Sequence, residues 1–231
     1  MTMLRTAQRL VNSVLGVADL KIIPKSDPWL QLADFPDVAT VIDVGVCSGT
    51  PEIYQRFSTA ELILVDPLPE SEQLTAPTVA GRNYRFFNCA LGASEGTVTL
   101  RREIDNKAKS SLLARSELTR SDGQFSEHEV PLRTLDALMS EIDVKQPLGL
   151  KIDTEGYELE VLKGASDTLA RCEFVILECS VRRRFEGSYR AEELISYLGE
   201  RGFTLAFVLS NHADRRGRIM FIDLGFIRRD A

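Results

Sequence analysis

Only two histidines and four cysteines occur in the 231 residues, and no two cysteines share a CxxC spacing. A histidine-based metal cluster is excluded, and neither a zinc ribbon nor a redox pair has a motif to rest on. Cys47, Cys89, Cys172 and Cys179 are expected to be reduced, and three of them sit inside or at the ends of apolar runs. No apolar stretch approaches the roughly 18 residues of a membrane span. The opening MTMLRTAQRLVNSVLGVADL lacks the continuous apolar core and small-residue cleavage site of a secretory signal. The expected compartment is the cytoplasm. There is no excess of positive charge either: the net charge is −6. An acidic balance and the absence of a [DN]PP[YF] motif argue against a nucleic-acid partner. Two phosphate-loop fingerprints, GxGxxG and GxxxxGK[ST], are also missing.

What remains is an ordinary globular mixture, 44 % apolar and 27 % charged, long enough to bury one full core. Leu4, Leu10, Val11, Val14, Leu15 and Ala18 recur at helical intervals. Residues 1–38 are therefore read as an amphipathic helix and linker, suited to packing on the body of the protein or on a second subunit. The alternative for that helix is attachment to a membrane surface. Residues 39–231 are read as one domain. Apolar, β-branched runs recur along it at Ala39–Gly45, Glu61–Pro67, Tyr84–Leu91, Leu148–Thr154, Glu173–Ser180, Thr204–Ser210 and Arg218–Ile227. GTVTLRRE, Gly96–Glu103, is a further strand, and HEVPLRTLDALMSEI is an extended piece running into a helix. A helix is expected from Tyr157 to Ala170, and another over AEELISYLGERGF, closed by Gly202.

Buried strands separated by helix-length segments imply a doubly wound α/β fold with a mostly parallel, seven-stranded sheet. NHADRRGR is too short for a helical crossover, so one of the last two strands runs antiparallel. Ligands in such folds bind beyond the carboxyl ends of the strands, where the winding reverses. Acids 43, 66, 153, 155 and 178 all fall on that rim.

In VIDVGVCSGT, Val41–Thr50, Gly45 and Gly49 let the backbone turn sharply and approach a ligand closely. Asp66, ending the second strand, is placed to accept hydrogen bonds from a ribose diol; its bland alternative is a turn-capping acid. Asp43 is expected to brace the glycine loop from within. A loop without a phosphate fingerprint, a ribose acid and an acidic crevice suit S-adenosylmethionine (SAM), which has no phosphate but has a diol and a positive sulfonium.

VIDVGVCSGT, LVDP, NCALG, LRTLD, LKIDTEGYELEVLKGA, VILE and FIDLGFI follow the order seen in FkbM-type SAM-dependent methyltransferases. The resemblance spans roughly Ala39 to Ile227, and its most specific part is IDTEGYE…VLKGA. It implies a class I methyltransferase (Rossmann-like) fold, SAM as the methyl donor, and an O-methyl product on a sugar or natural-product hydroxyl. Carried over by position, Asp43, Gly45 and Gly49 form the methionine-end loop and Asp66 is the ribose acid. Asn88 and Ala90 then lie near the adenine. The sequence departs from the family's DVGAN-x-G loop in carrying Val46 and Cys47.

Transfer of a methyl group to an alcohol gains from a base that takes the hydroxyl proton as the bond forms. Asp153 and Glu155, two positions apart, point to the same side if the strand stays extended. Asp153 is read as the base and Glu155 as its partner. The alternatives are a shared divalent cation, or a capping role for Glu155 on the following helix. Glu178 is a lesser candidate for holding a substrate hydroxyl. His128 is read as an exposed, ordinary histidine. Arg182, Arg183 and Arg184 are expected to form a solvated run, with binding of an acidic substrate as the alternative. Lys107, Lys109 and Ser111 lie in a polar, irregular stretch suited to a lid or substrate wall. The functional reading is an O-methyltransferase acting on a small saccharide, glycolipid headgroup or secondary metabolite. The alternative is a non-catalytic SAM-binding module, and an NAD-dependent oxidoreductase is remote.

Overall fold

A computed structural model describes residues 28–104, 110–119 and 123–229. The amphipathic helix expected within residues 1–38 has its periodic positions outside them, as do Lys107 and Lys109. A 3-10 turn, Pro28–Asp34, leads into strand β1, Thr40–Val44. Helix α1 (Pro51–Arg56), β2 (Glu61–Val65), α2 (Ser71–Thr75) and β3 (Tyr84–Phe87) follow. Next come β4 (Ala90–Leu91), β5 (Gly96–Glu103), β6 (Phe125–Arg133), α3 (Leu135–Ser140) and β7 (Leu148–Ile152). The chain ends with α4 (Glu158–Lys163), α5 (Ser166–Leu169), β8 (Cys172–Ser180), α6 (Ala191–Glu200), β9 (Phe203–Ala213) and β10 (Ile219–Arg228).

The main sheet has the order β3-β2-β1-β7-β8-β10-β9. Its pairings are parallel except those of β10, which runs antiparallel to both neighbours. Alternation along the strands sorts side chains onto two apolar faces. Ile42, Val44, Leu150 and Ile152 join α3–α6 in one core. Val41, Leu62, Leu64 and Phe174 meet Leu32, Phe35, Ile53 and Phe57 in the other. Phe57 stacks on Phe174 at 5.1 Å and Phe35 meets that ring edge-on at 5.2 Å.

Three departures from the sequence reading have local causes. The expected single strand Tyr84–Leu91 divides at Asn88, whose amide donates to the Asp66 carbonyl at 2.9 Å. Beyond it, β4 leaves the main sheet for a second, three-stranded one ordered β4-β6-β5. The helix expected over 157–170 breaks at Gly164, where a Cβ would stand 2.0 Å from the Gly92 carbonyl oxygen. Asp136 restarts it, accepting hydrogen bonds from the Asp167 and Thr168 amides at 3.0 and 2.8 Å.

Register positions the functional edge. Val44 is level with Val65 on β2 and with Ile152 on β7. The next residues along, Gly45, Asp66 and Asp153, therefore emerge side by side. This is the point where the winding reverses, between β1 and β7.

Candidate active site

A cleft of about 250 Å³ opens at that edge. The loop Gly45–Thr50 floors it, with Asp66, Pro67 and Leu68 on one side and Lys151, Asp153, Thr154 and Glu155 on the other. Ala90 and Leu91 line it from β4, and Ser110, Ser111 and Leu112 close the far wall. Asn88 is exposed and outside the lining; its role is the bond that turns the chain behind Asp66. Ser111 is fastened to the site by its hydroxyl, which donates to the Glu155 carbonyl at 2.7 Å.

Gly45 (φ 78°) is where the glycine loop and the Asp153 turn touch: a Cβ there would lie 1.8 Å from the Asp153 carbonyl oxygen. Cys47 is also left-handed (φ 49°), an uncommon state for a residue with a side chain. That turn aims the Cys47 amide at Asp66 Oδ2, 2.7 Å away. Asp66 Oδ1 accepts from the Leu68 amide and the Ser71 hydroxyl, both at 2.8 Å. Burial pushes the Asp66 carboxyl up, while these donors pull it back toward the ionised form. A carboxylate offers about four acceptor positions, so one on Oδ2 stays open to a further donor.

Asp43 is 0 % exposed and does not line the cleft. Tyr54 and Thr50 donate hydroxyl hydrogen bonds to its Oδ2 at 2.6 and 3.1 Å. Its Oδ1 faces Lys151 Nζ at 3.1 Å. Lys151 also lies 3.5 Å from Asp153 Oδ2 and 3.5 Å from the Gly45 carbonyl oxygen. Burial works against its ammonium, but Asp43 and then Asp153 outweigh it and hold its pKa above the ordinary value. Sequence reasoning passed over Lys151. The signal was there, because a lysine inside a fully buried strand such as LGLKI must be paired with carboxylates.

Glu155 (φ 53°) follows the end of β7, and the left-handed turn sends its side chain toward two arginines. Its Oε2 lies 3.5 Å from Arg184 and 3.9 Å from Arg115. Arg184 is 5 % exposed and also pairs closely with Glu178. The solvated run expected for residues 182–184 is thus wrong at Arg184, which two half-buried carboxylates, Glu155 and Glu178, draw inward. The capping alternative for Glu155 is not realised, since no side chain caps α4. Glu158, in its first turn, instead holds the preceding turn by accepting from the Thr154 and Gly156 amides, each at 3.0 Å. Tyr189 donates to the other Glu158 oxygen at 2.7 Å. His128 is exposed on β6, beside Ser126. All four cysteines are free. Among the described residues, no group of three or more His, Cys, Asp or Glu side chains is arranged to hold a metal ion.

Burial, with Asp153 close by, pushes Glu155 up to about 7, against the pull of Arg184. A raised carboxyl pKa means the folded chain keeps a proton that the unfolded chain releases near pH 4.5. Glu155 therefore contributes most to stability below pH 4.5 and loses that contribution as pH rises through about 7. Glu155→Gln is expected to flatten the urea midpoint between those values, measured by fluorescence across a pH series.

Residues 43–205 match the Methyltransferase FkbM domain. The chain belongs to the FkbM methyltransferase family. Its sheet order, with the single antiparallel strand β10, is that of a class I, Rossmann-like methyltransferase. The FkbM chain is similar to magnesium protoporphyrin IX methyltransferase (ChlM) from Synechocystis PCC 6803, solved with bound SAM. That match has 12 % identity and a TM-score of 0.46, covering 96 % of this chain and 80 % of that one. N-methyltransferase NodS from Bradyrhizobium japonicum WM9, solved with S-adenosyl-L-homocysteine, matches at 9 % identity and TM-score 0.48. It covers 87 % of this chain and 84 % of that one. Precorrin-6y C5,15-methyltransferase from Geobacter metallireducens GS-15 matches at 10 % identity and TM-score 0.45, over 87 % and 85 % of the two chains. No curated protein matches the sequence.

Proposed function

We propose that the cleft binds SAM and that this FkbM methyltransferase methylates a hydroxyl on a small saccharide, glycolipid headgroup or secondary metabolite. The observation that carries the reading is convergence. The glycine loop, Asp66 and Asp153 are far apart in sequence yet line one cleft. The residues fit the cofactor: Gly45 and Gly49 supply the left-handed turns that shape the floor, and Asp66 Oδ2 retains an acceptor position for a ribose hydroxyl. Ala90, Leu91, Leu68 and Leu112 give an apolar wall for a base, with Asn88 fixing the turn behind it. Asp43 acts from beneath, through Thr50 and Lys151. The bound cofactor would supply an electrophilic methyl group on a positively charged sulfur.

The chain's own contribution is alignment and removal of a proton. Asp153, 43 % exposed at the mouth and held by Lys151, is the group that takes the acceptor's hydroxyl proton. Glu155 is its partner on the same wall. Asp153→Asn is expected to lower methyl transfer about 10²–10⁴-fold while leaving SAM binding in place. Labelled transfer to a saccharide panel measures the first and calorimetry the second. Unchanged transfer would remove Asp153 from the mechanism.

A further inference from the structure

Five arginines, Arg182, Arg183, Arg215, Arg216 and Arg218, gather at one corner of a chain whose net charge is −6. Two main-chain bonds join the segments that carry them. The Val181 and Arg182 amides both donate to the Met220 carbonyl at 3.1 Å, tying the loop after β8 to the β9–β10 hairpin. Arg182 and Arg218 share Asp214, at 3.7 and 2.6 Å. Arg183, Arg215 and Arg216 are exposed, and among the described residues their side chains make no ion pair or hydrogen bond. The acids of the two segments are Asp214 in the hairpin turn and Glu186 on the loop after β8.

Aliphatic side chains stand among these charges, Val181 at 41 % and Ile219 at 43 % exposed. The turn of the hairpin is open at Gly217, where nothing lies within 4 Å of the place a Cβ would occupy. The corner also borders the cleft. Arg184 continues the same loop, lies over the Phe221 ring at 4.2 Å and pairs with Glu155.

We infer that this corner docks on an anionic lipid surface. Cationic and aliphatic side chains interleaved on one open surface suit a bilayer, which receives both at once. Exposed aliphatics enter its headgroup layer while unpaired guanidinium groups meet lipid phosphates. Docking there turns the cleft mouth toward the bilayer, so an acceptor carried on a lipid headgroup is reached without leaving the membrane. That consequence rests on the methyl-transfer reading; the docking itself does not.

The full chain is tested by sedimentation with vesicles of phosphatidylcholine alone and of phosphatidylcholine mixed with phosphatidylglycerol. Binding is expected to the mixed vesicles only. It should disappear near 1 M salt, where the screening length falls to about 3 Å. Arg183→Gln/Arg215→Gln/Arg216→Gln is expected to weaken it roughly 100-fold. Val181→Ser/Ile219→Ser is expected to weaken it roughly tenfold with no change of charge. Among the described residues the three arginine side chains make no hydrogen bond or ion pair, and the substitutions keep the main-chain bonds of Arg183 and Arg216, so the circular dichroism spectrum should be unchanged. SAM binding by calorimetry should also be unchanged in both variants, which keeps loss of docking separate from failure of the methyl-transfer reading. The inference is overturned by equal binding to both vesicle types, by full binding of the arginine variant, or by no vesicle binding. Capture of soluble polyglutamate in preference to mixed vesicles overturns it too, in favour of an acidic protein partner.

Discussion

Gly45→Ala is expected to lower stability by about 2–5 kcal/mol and to abolish cofactor binding. Two terms add. A side chain in the left-handed region costs about 1–2 kcal/mol, and forcing atoms into a filled space costs about 1–3 kcal/mol. The filled space here is the Asp153 carbonyl, 1.8 Å from the new Cβ, so relief requires the turn carrying Asp153 to move. Gly81 is the control, because its φ of 76° nearly equals that of Gly45 but nothing lies within 4 Å of a Cβ there. Gly81→Ala should show the conformational cost alone. Urea denaturation of both variants isolates the contact. Equal midpoints would mean that the close approach of the two loops is not what requires glycine.

Lys151→Met should cost about as much by a different route. It leaves the Asp43 carboxylate wholly buried without its cation, and breaking a buried pair from one side costs about 3–5 kcal/mol. The pH dependence should give the cause away. Lys151 has a folded pKa above its unfolded 10.5, so its contribution in the parent is complete below that value. It fades only as pH rises through the folded value, and the parent should therefore be flat in this respect near neutrality. The methionine variant should instead regain stability on acidification, because a proton can replace the ammonium as Asp43's neutralising partner. Lys151→Arg keeps the charge and should recover part of the loss. Urea midpoints at acidic and neutral pH provide the measurement, and a variant as stable as the parent at neutral pH would show that Lys151 is not what neutralises Asp43.

Much of the architecture was legible because its strands are buried on both faces. TVIDV, ELILV and LGLKI read as apolar runs whichever way the sheet is turned. The reversal at the last hairpin followed from a link too short for a crossover, and β10 is antiparallel. The second sheet was less legible. Its strands β5 and β6 are largely exposed and polar, and β4 is two residues long, so neither period nor composition announces their pairing.

The same division runs through the site. Gly45, Asp66 and Asp153 were readable because each ends a strand, and register alone makes them neighbours. Arg184 was not, because nothing in VRRRFEG tells which arginine turns inward; Glu155 and Glu178 make that choice from other parts of the chain. Glu155 was placed in the cleft on the assumption of an extended strand, yet it arrives there through a left-handed turn. Glu158 was hidden for a related reason: it reads as the polar side of a helix, whereas it folds back to hold the turn before it.

The segment Ser110–Thr119 contrasts with the rest of the site. Among the described residues it meets the body through isolated bridges, Arg101 with Ser111 and Arg115 with Phe185, and through bonds that include those to Glu155, Arg183, Arg184 and Glu186. The floor and the Asp153 turn, by contrast, are locked together main chain to main chain. Substitutions along this strip of about ten positions are therefore expected to leave the floor and the Asp153 turn in place, which gives a designer a replaceable cassette at the far wall of the cleft.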